Sequence, residues 1–374
     1  MNWQRLLAIL IKEFLQLRRD RLTFAMMIGV PVMQLVLFGF AINTDPKSLP
    51  TALLVADHSI HARSLVAGLE NSGYFRIVER TASAARSEQL LARGSVQFAL
   101  EIPAGFARAL ERGERPALLF AVDATDPAAA SGALAALGDI ARRALAHDAK
   151  GALAHLNGAE LPYEIRIQRR YNPEALARYN IVPGLLGVIL TMTMVMMTAL
   201  AMTRETERGT MENLLATPAR PLEVMVGKIA PYIGIGYVQV AVVLMAARWL
   251  FGVPMLGSYA LLTAALALFM AAQLAVGFTF STIARSQLQA VQLTFFYFLP
   301  SILLSGFMFP FRGMPGWAQA LGEMLPLTHF LRVVRGIMLK GNGAADIAPH
   351  LWPIAAFMLV AGSVALVKYR RTLD

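Results

Sequence analysis

Apolar and polar positions divide this chain into two kinds of territory. Six uninterrupted apolar runs cover residues 22–42, 181–202, 229–247, 259–283, 288–309 and 351–367. Each is close to the roughly 20 residues that carry a helix across a bilayer, so six transmembrane helices are predicted. Pro31 inside the first run predicts a kink. Residues 43–177 read differently. Short β-rich runs at 52–56, 75–78, 96–102 and 118–122 alternate with helical patterns near 60–70, 84–92 and 103–112. Pro103 marks a helix start. Asp126-Pro127 opens an Ala/Leu helix running to about His155, and a last strand covers 163–167. The fold class expected is an α-helical polytopic membrane protein, with six transmembrane helices and an inserted α/β domain.

The connection after the second run carries helix signals of its own. Apolar character ends at Arg204 and resumes at Ile229. Gly209 can break the incoming helix and Thr210 is a good N-cap. Met211, Leu214 and Leu215 fall at i, i+3, i+4, and Pro218 forbids continuation. A helix of under two turns is predicted, lying across the membrane surface at 204–218. A plain turn between spans needs only a few polar residues, so this loop reads as a docking element.

Composition supports the membrane reading: 56% of residues are hydrophobic and only 16% charged. The absence of cysteine excludes disulfides, thiolate metal sites and a cysteine nucleophile. The net charge of +10 is unevenly spread. Residues 45–174 hold fifteen Lys/Arg and fifteen Asp/Glu, so the excess lies wholly in the membrane-associated remainder. Charge that flanks apolar runs reports topology, not nucleic-acid binding.

Arg5, Lys12, Arg18, Arg19 and Arg21 stud a 1–21 segment that suits an interfacial amphipathic helix. Arg204, Arg208, Arg220 and Lys228 mark the next loop, Arg285 the next, and Lys368, Arg370 and Arg371 the tail. The 252–258 loop has none. Both termini and the 204–228 loop are therefore expected inside, with residues 43–177 extracytoplasmic. One segment breaks the rule: 311–350 should be outside, yet carries Arg312, Arg332, Arg335 and Lys340. It reads as a re-entrant or interfacial helical hairpin. Gln273, Gln289 and Gln292 lie within the spans and are expected to bond neighbouring helices.

Catalytic signatures are missing. Gly227-Lys228 lacks the upstream glycine and the following Ser/Thr of a phosphate loop, and there is no H-E-x-x-H or G-x-S-x-G. His58 and His61 are too few for zinc and are expected to be exposed. No Asp or Glu falls inside the six runs, which argues against proton-coupled transport. A membrane machine so equipped must borrow its energy.

The run Glu205-x-Glu207-Arg208-Gly209-Thr210-Met211-Glu212-x-Leu214-Leu215-x-x-Pro218 resembles the coupling-helix region of ABC type-2 exporter permeases. Ile102-Pro103-x-x-Phe106, Tyr171-Asn172-Pro173, Leu304-Ser305-Gly306 and Pro326-x-x-His329-Phe330 are similar to further motifs of that family, in the same order. The resemblance spans essentially the whole chain and is nearest to bacterial inner-membrane multidrug-efflux-like permeases. It implies a non-enzymatic subunit of a multi-pass exporter, with ATP and magnesium held by a separate cytoplasmic ATPase. It implies a second copy or a similar permease as partner, and admits a periplasmic adaptor. By this resemblance Glu205, Glu207, Arg208 and Glu212 contact the ATPase. Gly209 and Thr210 shape the coupling helix, and Met211, Leu214 and Leu215 seat it. Two other readings remain: a lipid or polysaccharide permease, and a membrane-anchored sensor or assembly factor. The lack of a large outer domain in many polysaccharide permeases, and five C-terminal runs where an anchor needs fewer, weigh against them.

Overall fold

The computed structural model describes residues 46–146, 161–207 and 221–371, together with Leu37. The 1–21 helix and the 22–42 run, apart from Leu37, lie outside the described residues.

The α/β domain is a five-stranded mixed sheet in the order β2-β1-β3-β4-β5. Its strands are β1 (Leu49–Val55), β2 (Phe75–Thr81), β3 (Phe98–Ile102), β4 (Ala117–Asp123) and β5 (Glu164–Arg170). All neighbours are parallel except β3 and β4. The burial of each strand explains its sequence. β1, between β2 and β3, is continuously apolar and buried over its first five residues. β2 alternates because it is an edge strand with one covered face. The helices α1 (Ile60–Asn71), α2 (Ala84–Ala92), α3 (Phe106–Glu111) and α4 (Pro127–Ala146) complete the domain. Ser59 and Ser83 cap α1 and α2 with their hydroxyls. Leu49, Leu53, Leu65, Phe98, Phe106 and Phe120 form the centre of its core.

Five helices are long and apolar enough to cross a membrane: α5 (Ala177–Glu207), α6 (Pro221–Trp249), α7 (Tyr259–Ile283), α8 (Gln287–Leu304) and α11 (Ala344–Arg371). The protein is thus mostly helical, with five candidate spans among the described residues and an α/β domain. α7 is the central helix: 67% of its most apolar stretch is buried within the chain, against 17% for α6 and 11% for α11. Its approach to α5 is close enough that a Cβ on Gly277 would stand 2.6 Å from the Val195 carbonyl oxygen. Gln273 is fully buried there; its amide donates to Thr191 Oγ1 (3.3 Å) and accepts from the Tyr297 hydroxyl (3.1 Å). Gln289 accepts from the backbone N–H of Arg285.

Residues 311–350 hold a short 3-10 turn, then α9 (Gly316–Glu323) and α10 (Pro326–Lys340). α10 is a core helix. Leu327, Phe330, Leu331, Val333, Val334 and Ile337 are sealed among the spans, and Phe330 stacks on Phe269 with ring centroids 4.1 Å apart.

Several expectations are corrected. α3 begins at Phe106, three residues past Pro103, because Gly105 takes a left-handed φ of 74° and delays the helix. The fifth run stops being helical at Leu304, where Gly306 turns the chain at φ 82°. α5 runs past Arg204 to Glu207. His61 is buried, 5% exposed, with Nε2 4.0 Å from Glu111, whereas His58 is exposed. The α4 helix is described to Ala146, so its expected stretch to His155 lies outside the described residues.

Candidate functional site

Polar side chains gather at both ends of the bundle. At the loop end, α5 delivers Glu207 beside the start of α8. The Glu207 carboxylate accepts from the backbone N–H of Gln287 (2.7 Å) and from its side-chain amide (2.6 Å). Ser286 caps the same terminus through Gln289 N–H. A carboxylate at a helix N-terminus meets unsatisfied donors and the positive end of the dipole. The Gln287 side chain and then its backbone hold Glu207 below the usual carboxylate range. Glu207 therefore fastens two cytoplasm-expected connections together. Glu205 lies on the same last turn of α5. The remaining docking residues, Arg208, Gly209, Thr210, Met211, Glu212, Leu214 and Leu215, lie outside the described residues, as does most of the 204–218 helix.

At the domain end, the turn between α10 and α11 grips the end of α2. Lys340 Nζ donates to Asp123 Oδ2 (2.5 Å) and to the Leu91 carbonyl (3.1 Å), and lies 5.1 Å from the Tyr171 ring centroid. Asn342 donates to the Ala92 carbonyl (3.0 Å), and Arg312 donates to the Gly94 carbonyl (2.5 Å). Arg93 pairs with Asp346 at 2.9 Å. The logic is that of a helix C-terminus, whose last carbonyls lack intrahelical donors and favour cations. Lys340 and Asp123 are only 7% and 8% exposed at their side chains, so this is a buried pair.

Next to it, Arg332 makes a two-point bond to Glu323 (2.6 and 3.0 Å) and stacks over Phe311 at 4.7 Å. His329 Nε2 meets the Glu323 carbonyl at 2.8 Å. Burial is the leading cause that pushes Arg312 down to about 10 and that lowers Arg335, and burial raises Asp126. Between the domain and the hairpin lies a cavity of about 880 Å³. Among the described residues no cluster of three or more His, Asp or Glu could hold a metal.

The resemblance motifs are structural parts. Tyr171 sits at a left-handed φ of 68°, and Asn172, fully buried, brackets Leu176 with two hydrogen bonds to start α5. Gly306 offers its carbonyl to Arg335. Pro326 opens α10, and Phe106 packs against Tyr163. Asp123, Asp126, Asn342 and Asp346 were not foreseen as site residues. The only trace of the junction in the sequence is the group Arg312, Arg332, Arg335 and Lys340, which the charge rule could not place.

Comparison with known proteins adds the lineage. A family model described as ABC-2 family transporter protein matches residues 21–367. The chain is 30% identical over 388 aligned residues to the probable multidrug ABC transporter permease YbhS of Escherichia coli strain K12, covering 100% of this chain and 99% of that one. It is 26% identical to the probable multidrug ABC transporter permease YbhR of the same strain, covering 99% of each. It is 29% identical over 290 residues to the inner membrane transport permease YhhJ, covering 75% of this chain and 74% of that one.

Proposed function

The chain belongs to the ABC-2 transporter family, and from that premise we propose that it is the membrane subunit of a bacterial inner-membrane exporter of apolar or amphipathic drugs, driven by a separate cytoplasmic ATPase. The observation that carries the reading is the end-to-end match to a protein named as a multidrug ABC transporter permease. The chemistry agrees: five apolar helices form the described bundle, and the sequence has no phosphate loop with which to hydrolyse ATP.

The topology that goes with this reading has a sixth span at 22–42, both termini inside and the α/β domain outside. ATP and magnesium sit on the partner. ATPase closure draws the 204–218 loops of two permeases together, α5 and α6 tilt, and a central path opens outward. Glu205, Arg208 and Glu212 contact the ATPase; Glu207 passes the motion to α8 through Gln287. A second permease, the same chain or a similar one, completes the pathway in this reading.

The test is reconstitution with its ATPase. Inverted vesicles carrying both proteins should accumulate a fluorescent cationic drug on ATP addition, and should lose that uptake with Glu212→Arg. Charge reversal in a close ionic contact costs on the order of 2–5 kcal/mol at an interface. ATP-independent accumulation, or wild-type uptake by the variant, would overturn the reading.

A further inference from the structure

The cavity at the domain end holds more positive charge than its structural contacts use. Three of its cations have carboxylate partners: Lys340 with Asp123, Arg93 with Asp346, and Arg332 with Glu323. Lys47, Arg76, Arg312 and Arg335 also line it, and of these Arg76, Arg312 and Arg335 have no carboxylate within ion-pair distance among the described residues. Arg312 spends one nitrogen on the Gly94 carbonyl. Arg335 reaches the Gly306 carbonyl only at 3.4 Å, and its Nε is sealed from solvent with no partner among the described residues. A buried guanidinium with an idle donor is costly unless something accepts from it.

The nearest carboxylates do not fill that role. Asp123 is committed to Lys340 and to Thr125. Asp126 accepts from the backbone of Ala128 and, at 3.4 Å, from Asn180, and its burial favours the neutral acid. Arg335 thus lines the cavity without a carboxylate in ion-pair contact, its charge disfavoured first by burial and supported only at longer range by Asp126 and Asp123.

We propose that this cavity is a binding site for a phosphate group, held by Arg312 and Arg335 with Arg76 at the rim. Planar guanidinium forks match the oxygens of a tetrahedral oxyanion two at a time, which suits phosphate better than a single-point ligand. The surroundings favour a phosphate carried on an amphiphile. The short helix α9 and its C-cap turn Gln319 and Glu323 into the cavity while exposing Trp317, Leu321 and Met324 on the opposite side. The chains of a headgroup held in the cavity would reach an apolar surface across the width of this one short helix. Phosphate binding here does not depend on export or on the ATPase.

The experiment uses the full-length protein in a maltoside detergent, free of added lipid phosphate. Two probes are titrated: radiolabelled inorganic phosphate, and a short-chain phosphatidylglycerol followed by the shift in Tm. Saturable binding of either supports the site; the tighter one identifies the source, soluble phosphate or lipid headgroup. Arg312→Gln and Arg335→Gln should each weaken binding at least about tenfold, the loss expected for a charge-assisted hydrogen bond. Arg312→Lys and the exposed rim variant Arg76→Gln keep the test open if a buried variant fails to fold, and each should bind more weakly than wild type. Arg142→Gln, on the exposed face of α4, should bind as wild type. Absence of saturable binding by both probes would overturn the proposal, as would equal binding by wild type, Arg76→Gln and Arg312→Lys.

Discussion

The loop end and the domain end of the bundle use polar residues in opposite ways. At the domain end, side chains separated by 217 to 253 positions meet in a half-buried network that fixes a helix hairpin to a sheet domain. At the loop end, one exposed carboxylate reaches across 80 positions to a helix N-terminus. The first arrangement is stiff, because its central pair, Lys340 and Asp123, is withdrawn from water and several further bonds join the same elements around it. The second is solvated and breakable. A transporter needs that difference: a port where a partner can dock and pull, and a far end whose parts move as one body.

The sharpest way to break this contrast is at the buried pair. Lys340→Ala leaves Asp123 buried without its counter-charge, a change of about 3–5 kcal/mol. Thermal unfolding in detergent should show a large fall in Tm, and adding Asp123→Asn should recover part of it. An unchanged Tm would mean the domain is not held by this junction. Asn342→Ala removes one hydrogen bond and strands the Ala92 carbonyl, with about 1 kcal/mol expected in the same assay.

Acidification probes the same end. Burial leads the causes that keep His329 below its ordinary value, so it is neutral when folded and protonates more readily when unfolded. The unfolded chain then takes up the extra proton, and stability falls as pH drops below about 6.5. Tm measured at pH 7.5 and 5.5 should differ by less in His329→Gln than in wild type. Smallest in stability is Glu207→Gln at the loop end. It should leave Tm within error of wild type, because both partners are solvated. Its effect should appear instead as a weaker response of ATPase activity to substrate. A large loss of Tm would place Glu207 among the structural anchors and erase the contrast.

Legibility in the sequence follows the same division. The apolar runs and the short β-rich runs are local, and α7 follows its run at Tyr259–Ile283. The signals read in the 204–218 loop, its cap, stripe and proline, are local too, but most of that loop lies outside the described residues. The junction was not legible. Nothing near Asp123 in the chain shows that Lys340 will bury against it, and nothing near Leu91 to Gly94 shows that its carbonyls will be claimed by Lys340, Asn342 and Arg312. What the sequence did contain was a misfit: four cations on a segment expected outside. The structure explains them by contact with the domain, since Arg312 and Lys340 bond it directly and Arg332 and Arg335 line the cavity between. His61 shows the limit from the other side: its burial depends on α3, which approaches from fifty residues away.

Docking at one end and a fixed body at the other require the two ends to face opposite sides of the membrane. The native chain has no cysteine, so single cysteines report cleanly. Ala85→Cys sits on the exposed face of α2 in the domain, and Thr206→Cys on the last turn of α5. In intact spheroplasts a membrane-impermeant thiol reagent should label position 85 and leave position 206 untouched until the membrane is opened. Labelling of 206 but not 85 in intact cells would contradict the orientation, and with it the docking of an ATPase on the 204–218 loop.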